Sequence, residues 1–250
     1  MLISHISVVI IAKNSEDTLE ECLEALKSFE DVVLYINDSS DNTESIASKY
    51  VNVNIIKGIF TGFGNTKNEA AKYAKNQWIL SLDSDEVLNN AIIEEIRAQK
   101  YDKKENLFIL RRDNYFLGAK TISKDDIIRI YHTHYTKFDD NLVHEKIIVP
   151  SNSHVIKLLH TFKHHNITDI NQTLSKMIKY TDLGAEGKKT CFFLVVIAKA
   201  TFAFIQTYIL RFYFLNGWRG FVIAVSNANR RFYKYLKQFI NCKKEKNLRV

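Results

Sequence analysis

Proline is nearly absent from this chain of 250 residues: there is one, Pro150, alongside only eight glycines. A sequence so poor in both holds no Pro- or Gly-rich linker, no collagen-like tract and no low-complexity segment. No internal repeat is evident, and Pro150 reads as a strand end. Cysteine is scarce too. Cys22, Cys191 and Cys242 are scattered, odd in number and form no C-x-x-C, so the expectation is free thiols in reducing surroundings, with neither a disulfide framework nor a zinc site. Long apolar runs are also missing. Ile6 to Ala12 is too short for a signal-peptide core and lacks a basic flank. Further on, Lys199, Arg211 and Arg219 interrupt every run before it reaches about 18 apolar residues, the length of a spanning helix.

What is present excludes disorder: 46% of residues are hydrophobic and 12% aromatic. The net charge of +7 conceals an asymmetry. From Lys188 onward there are 13 basic residues and one acid, Glu245; residues 1–187 carry 22 basic and 27 acidic residues. A mildly acidic body with a basic tail points to a polyanion at the tail. The tail is also aromatic. Its Phe, Tyr, Ile, Leu and Val alternate with Arg and Lys, as in helices that lie in the headgroup layer of an anionic membrane, and two helices are expected with a break near Asn216-Gly217.

The first hundred residues alternate between β-branched runs and helical periodicity. Strands are expected at Ile6–Ala12, Val32–Ile36, Val53–Ile56 and Trp78–Leu82, and helices after Asn14-Ser15, up to about Tyr50, over Asn65–Ala74 and over Leu88–Arg97. That order defines a doubly wound, mostly parallel α/β sheet. Beyond it, Asn106–Arg111, Ile127–Tyr131, Lys146–Val149 and Val155–His160 read as short strands, and Thr168–Tyr180 as a helix. The expected division is a catalytic domain over 1–165, made of a nucleotide-sugar-binding half (1–100) and an acceptor-side half (101–165), then a helical basic-aromatic region over 166–250.

The Trp78 strand ends in Asp83-Ser84-Asp85-Glu86. Acids at the carboxyl edge of a parallel sheet stand where open α/β folds bind ligands. Alternate residues of an extended strand point the same way, so Asp83 and Asp85 are expected to face one hard divalent cation, Mg²⁺ or Mn²⁺. Three other polar loops share that edge: Lys13-Asn14, Asp38 to Asp41, and Gly62 to Asn68.

Together, Val8-Val9-Ile10-Ile11-Ala12-Lys13-Asn14, Gly62-Phe63-Gly64-x-x-Lys67-Asn68 and Trp78 to Glu86 resemble the family 2 glycosyltransferases, which have the nucleotide-sugar-binding GT-A fold. Asn141-Leu142-Val143-His144-Glu145, Tyr180-Thr181-x-Leu183-Gly184-Ala185-Glu186, Thr207 to Arg211 and Gly217-Trp218-x-Gly220-Phe221 are similar to the lipopolysaccharide-core β-glucosyltransferase branch. The resemblance spans about residues 5–237. It implies an inverting transfer of glucose from a UDP-sugar to a lipid-linked inner-core heptose, at the cytoplasmic face of the inner membrane. One motif departs: Asn37-Asp38-Ser39-Ser40-Asp41 is shorter than the family's Asp-Ser-Gly-Ser-Thr-Asp and lacks its glycine, leaving Asp38 or Asn37 for the nucleotide base.

On this reading Lys13, Asn14, Asp38, Lys67, Asp83 and Ser84 hold the donor, with Lys67 approaching phosphate. Asp83, Asp85 and His160 are the metal ligands, Asp85 foremost. Glu145 is the general base, with Glu86 and Asp140 behind it and His144 orienting it. Arg111, Arg112, Arg129 and the His164-His165 pair serve either an anionic acceptor or plain salt bridges. Three rivals remain: the same chemistry on a polyprenyl-phosphate or other envelope-glycan acceptor; a basic-tailed nucleic-acid-binding protein, which the apolar Phe192–Val225 disfavours; and a sugar-nucleotide-binding module without catalysis, which Asp83, Asp85 and Glu145 disfavour.

Overall fold

The computed structural model describes residues 2–141 and 145–247. The chain forms two compact units, one of Met1–Asp113 with Lys124–His165, the other of Asn114–Ser123 with Asn166–Val250.

The first unit begins β1 (Ser7–Ala12), α1 (Glu16–Ala25), β2 (Val32–Ile36), α2 (Thr43–Ala47), β3 (Val53–Lys57), α3 (Phe63–Ala71), β4 (Trp78–Asp83), β5 (Glu86–Val87) and α4 (Asn90–Ala98). Then come β6 (Asn106–Phe116), β7 (Ala119–His132) and β8 (His154–Ile167), whose far ends belong to the second unit. The eight strands form one sheet in the order β3-β2-β1-β4-β7-β6-β8-β5. Its first four strands are parallel, with Val8 level with both Val32 and Leu80, and β7 joins β4 antiparallel.

The continuous apolar runs have a simple cause: both faces of the central strands are covered. Val8, Ile10, Leu34, Leu80 and Leu82 pack under Leu19, Leu23, Ile92 and Ile96 of α1 and α4. Val9, Val33, Tyr35 and Ile79 alternate to the opposite face, against Ala70, Tyr131 and Phe138. Helix α4 starts where the Asn89 side chain accepts the Ile92 N–H at 3.0 Å, satisfying one of its orphan donors.

Three of the later strands are much longer than the apolar segments that announce them, because their outer halves are mostly polar and charged. Lys146–Val149 is not a strand. Among the described residues only Phe138 and Ile147 bridge there, and the Asp139 N–H to Lys146 and Ile148 N–H to Lys137 bonds close a loop instead of extending a sheet.

The second unit is helical. Asp169 caps α5 (Ile170–Ala185), its carboxylate accepting the Asn171 N–H at 3.2 Å. The next helix, α6 (Phe193–Ile205), runs on through a wider turn over Gln206–Leu210. After a tight turn at Tyr213–Asn216, α7 (Gly217–Asn247) returns along both α5 and α6. Gly220 permits that turn, since a Cβ there would lie 1.7 Å from the Tyr213 carbonyl oxygen.

Lys199 does not break the helix that carries the apolar segment. Its ammonium lies 5.9 Å from the Tyr235 ring, and the helix passes through it, so Phe193–Leu210 is 18 residues long with mean hydropathy 1.8, long and apolar enough to cross a membrane. The cysteines are not all free either. Cys191 and Cys242, 51 positions apart, form a disulfide with a Cα–Cα separation of 5.5 Å. Cys191 lies just ahead of α6 and Cys242 near the end of α7, so antiparallel packing brings them together, which spacing along the chain does not reveal. Cys22 is the buried free thiol.

Candidate active site

At the carboxyl edge of the parallel strands, β1 and β2 each end in a non-glycine residue with left-handed backbone, Asn14 (φ 48°) and Asp38 (φ 49°). Both residue types tolerate this conformation better than most. The two loops are tied together: the Asn14 N–H donates to Ser39 Oγ (3.0 Å), and Asn14 Oδ1 accepts the Ser40 N–H (2.9 Å). Asn37 is buried, whereas Asp38 and Lys13 are exposed on the rim. Ser84 Oγ lies 2.9 Å from Ser15 Oγ, linking the β4 turn to the start of α1.

The centre of the site is a chain of charges. Lys67 belongs to α3, whose buried face also presents Gly64, Thr66 and Ala70. Its side chain is 3% exposed, and the ammonium reaches Asp83 Oδ1 and Glu145 Oε1, each at 2.8 Å. Arg129 of β7, also 3% exposed, donates to the other Asp83 oxygen at 2.8 Å and to Glu86 Oε1. Glu86 is wholly buried; Arg112 Nη1 meets the same Oε1 at 2.9 Å, and Oε2 accepts the Asp83 N–H at 3.0 Å. The order is therefore Glu145, Lys67, Asp83, Arg129, Glu86, Arg112. A buried charge is tolerable only when paired in this way.

Burial pushes the Asp83 carboxyl up, but Lys67 and Arg129 outweigh it and hold the group well below the usual carboxylate range. A depressed acid stabilises the fold fully above its unfolded value, about 3.9, and loses that contribution as the pH falls further. The stability gap between wild type and Asp83→Asn, read from urea midpoints, should therefore stay constant from pH 7 to about 5 and close below about 4. A gap closing between pH 7 and 5 would contradict this. The Cys22 thiol is pushed well above its ordinary value, by burial first and then by Glu86, Asp85 and Asp83, so it stays protonated and is no nucleophile.

The loop bearing Glu145 is held by α3. The Asn68 side chain clamps the Phe138 backbone, donating to its carbonyl (3.0 Å) and accepting its N–H (2.9 Å). Gly64 permits the close approach, because a Cβ there would lie 2.0 Å from the Asp139 carbonyl oxygen. Gly64→Ala must displace that loop. The expected result is a loss of about 1–3 kcal/mol in stability together with reduced turnover, checked by denaturation and a transfer assay.

Several expectations need correcting. The strand ends at Asp83 and Asp85 sits in the turn beyond, so the two-residue alternation does not carry through to Asp85. Asp83 has both oxygens on cations, while Asp85 Oδ1 is buried with no hydrogen-bond partner, the state of an oxygen that suits a metal. His160 is not beside these acids. It lies within β8, not at its end, and its ring pairs with Glu95 of α4 at 2.8 Å. The histidine facing Asp85 is His164, four residues on, with Nε2 3.6 Å from Oδ2. Lys67 carries two carboxylates, and Glu86, a reserve base by sequence, is sealed under two arginines. Arg111 pairs with Asp126 at the surface, Asp140 is exposed, and His144 lies outside the described residues. Among the described residues no group of three or more His, Cys, Asp or Glu gathers as a metal cluster. Asp85 with His164 fits a cation whose remaining ligands come from substrate phosphate and water, as Mg²⁺ commonly has.

The glycosyl transferase family 2 model matches residues 7–164, which include every member of this charge chain. The chain belongs to that family, and it is an α/β GT-A glycosyltransferase that draws on a nucleotide sugar. Among its relatives, an uncharacterized glycosyltransferase of Rickettsia bellii is 22% identical over 256 residues, covering 95% of this chain and 87% of the relative. A poly(ribitol-phosphate) beta-glucosyltransferase of Bacillus spizizenii is 34% identical over 97 residues, 34% of this chain and 15% of that protein. Among solved structures, S. aureus TarS 1-349 in complex with UDP-GlcNAc aligns over 91% of this chain and 81% of that one, with 15% identity and a TM-score of 0.49.

Proposed function

We propose that the protein transfers glucose from UDP-glucose, with inversion, to a heptose of a lipid-linked envelope glycan. The observation that carries the reading is the Lys67 ammonium, 2.8 Å from both Asp83 and Glu145. It ties the acid that closes the donor strand to Glu145, the carboxylate we assign to take the acceptor's proton. In one step the acceptor hydroxyl gives its proton to Glu145 and its oxygen bonds to the anomeric carbon. The bond from that carbon to the diphosphate breaks on the opposite face, and UDP leaves with the electron pair. Asp38 and Asn14 meet the nucleoside at the rim, Asp38 being exposed where Asn37 is buried. Lys13 and Ser84 lie at the same carboxyl edge of the sheet. Asp85 and His164 would hold a divalent cation, Mg²⁺ or Mn²⁺, which would neutralise charge growing on the leaving diphosphate. Asp83, held on two cations, fixes the turn that presents Asp85.

The second unit supports an anionic membrane surface as the place of work. Phe192, Leu194, Phe202, Leu210, Leu215 and Trp218 are exposed there, beside the basic residues of α7. The Bacillus relative favours a second reading, in which the acceptor is another envelope glycan such as a poly(alditol phosphate).

The test is nucleotide release by the full-length chain from UDP-glucose, UDP-GlcNAc and UDP-galactose, with and without Mn²⁺ or excess chelator, on heptose-bearing and poly(ribitol phosphate) acceptors. Metal-dependent release from UDP-glucose that needs the heptose acceptor is the expected result. Full activity in excess chelator would overturn the cation, and turnover only on poly(ribitol phosphate) would overturn the acceptor.

A further inference from the structure

The second unit bears a half-open cavity of about 220 Å³ among the turn ends of β6 and β7, the end of β8, and helices α5 and α7, with Lys176 and Arg230 exposed at its mouth. Two cations line it, Lys176 and Arg230, and no carboxylate does. Among the described residues neither cation is in an ion pair. Lys176 Nζ donates only to the Asn166 carbonyl, at 3.4 Å, and Arg230 Nη2 only to Asn227 Oδ1, at 3.2 Å. Partial burial, and after it Arg231, push the Arg230 guanidinium down, as expected of positive charge without a counter-ion. Thr173, on the same wall, has a buried hydroxyl with no hydrogen-bond partner. Ile223 and Tyr180 give the cavity an apolar side. None of these residues belongs to the charge chain around Asp83.

We propose that this cavity binds a phosphate monoester carried on a lipid, with the phosphate between Lys176, Arg230 and the Thr173 hydroxyl and the first carbons of the lipid against Ile223 and Tyr180. Two unpaired cations and an orphan hydroxyl suit a phosphate. The volume falls below the roughly 300–1,000 Å³ of pockets that enclose a drug-sized ligand, so it fits a head group better than a nucleotide. The choice of a lipid over a free anion rests on the membrane reading of α6, since the same unit exposes Phe202, Ile209 and Leu210.

Calorimetric titration of the full-length chain tests it, using monomeric dihexanoyl phosphatidic acid, glycerol 3-phosphate and inorganic phosphate as probes. The lipid should bind at least tenfold more tightly than either soluble phosphate. Lys176→Gln/Arg230→Gln should weaken it at least tenfold with the melting temperature unchanged. Lys243→Gln/Lys244→Gln, which removes equal charge elsewhere on α7, should leave it intact. Equal affinity for inorganic phosphate, equal loss in both double variants, or no lipid binding would each overturn the proposal. Sedimentation with phosphatidylglycerol vesicles separates the two readings. Lipid binding without sedimentation supports the cavity and sinks the membrane reading of α6; sedimentation without lipid binding overturns the cavity alone.

Discussion

Glu145→Gln should lower the transfer rate by about 10²- to 10⁴-fold, the usual worth of a positioned general base, while UDP affinity changes little. The substitution keeps the shape but removes the ability to take a proton, together with the charge that faces Lys67. Glu145 sits 2.8 Å from Lys67 through Oε1, and among the described residues it has no other partner, so its second oxygen is available to the acceptor hydroxyl. Because Lys67 keeps Asp83, the donor side stays assembled in the variant. Single-turnover kinetics with a separate UDP-binding measurement distinguish the outcomes. Turnover near the wild-type rate would remove Glu145 from this role, and loss of UDP binding would make it a structural residue.

Arg129→Met should be the most damaging single change to stability, costing about 3–5 kcal/mol, the range for removing one partner from a buried ion pair. Its guanidinium serves both Asp83 and Glu86, and Glu86 has no exposed surface at all. Removing the cation leaves Arg112 as the remaining guanidinium on Glu86. Arg111→Met, next to Arg112 on β6 but paired with the part-exposed Asp126, should cost far less, as exposed pairs do. Guanidinium denaturation of both variants makes the comparison. Adding Glu86→Gln to Arg129→Met should recover part of the loss, since the stranded charge is then gone; no recovery would place the cost in packing instead.

The parallel half of the sheet was legible because β1, β2 and β4 are largely apolar runs buried on both faces, and the edge strand β3, though only partly buried, still carries Val53, Ile55 and Ile56. The longer antiparallel strands were only half visible. Segments such as Lys120 to Asp126, polar or charged at every position but Ile122, resemble a loop in composition. Within the site, Asp83 and Glu145 were singled out by pattern, but Lys67 was taken to approach phosphate and its burial was missed. A usable signal existed: Lys67 lies three residues from both Gly64 and Ala70, on the small-residue face of α3. Arg129 gave one too, as the single charge in Ile127-Ile128-Arg129-Ile130-Tyr131. A cation that interrupts an apolar strand asks for a buried acid. The exchange of His160 for His164 was not legible, because it depends on where β8 stops and on its pairing with β5, which sets His164 opposite Glu86.

The Cys191–Cys242 link spans the whole helical hairpin, so it encloses the exposed Arg211 at the bend between α6 and α7. A trypsin cut at Arg211 would sever the backbone without parting the pieces. They would migrate as a single band on a gel until dithiothreitol was added, and only then separate into a fragment ending at the bend and one made of α7.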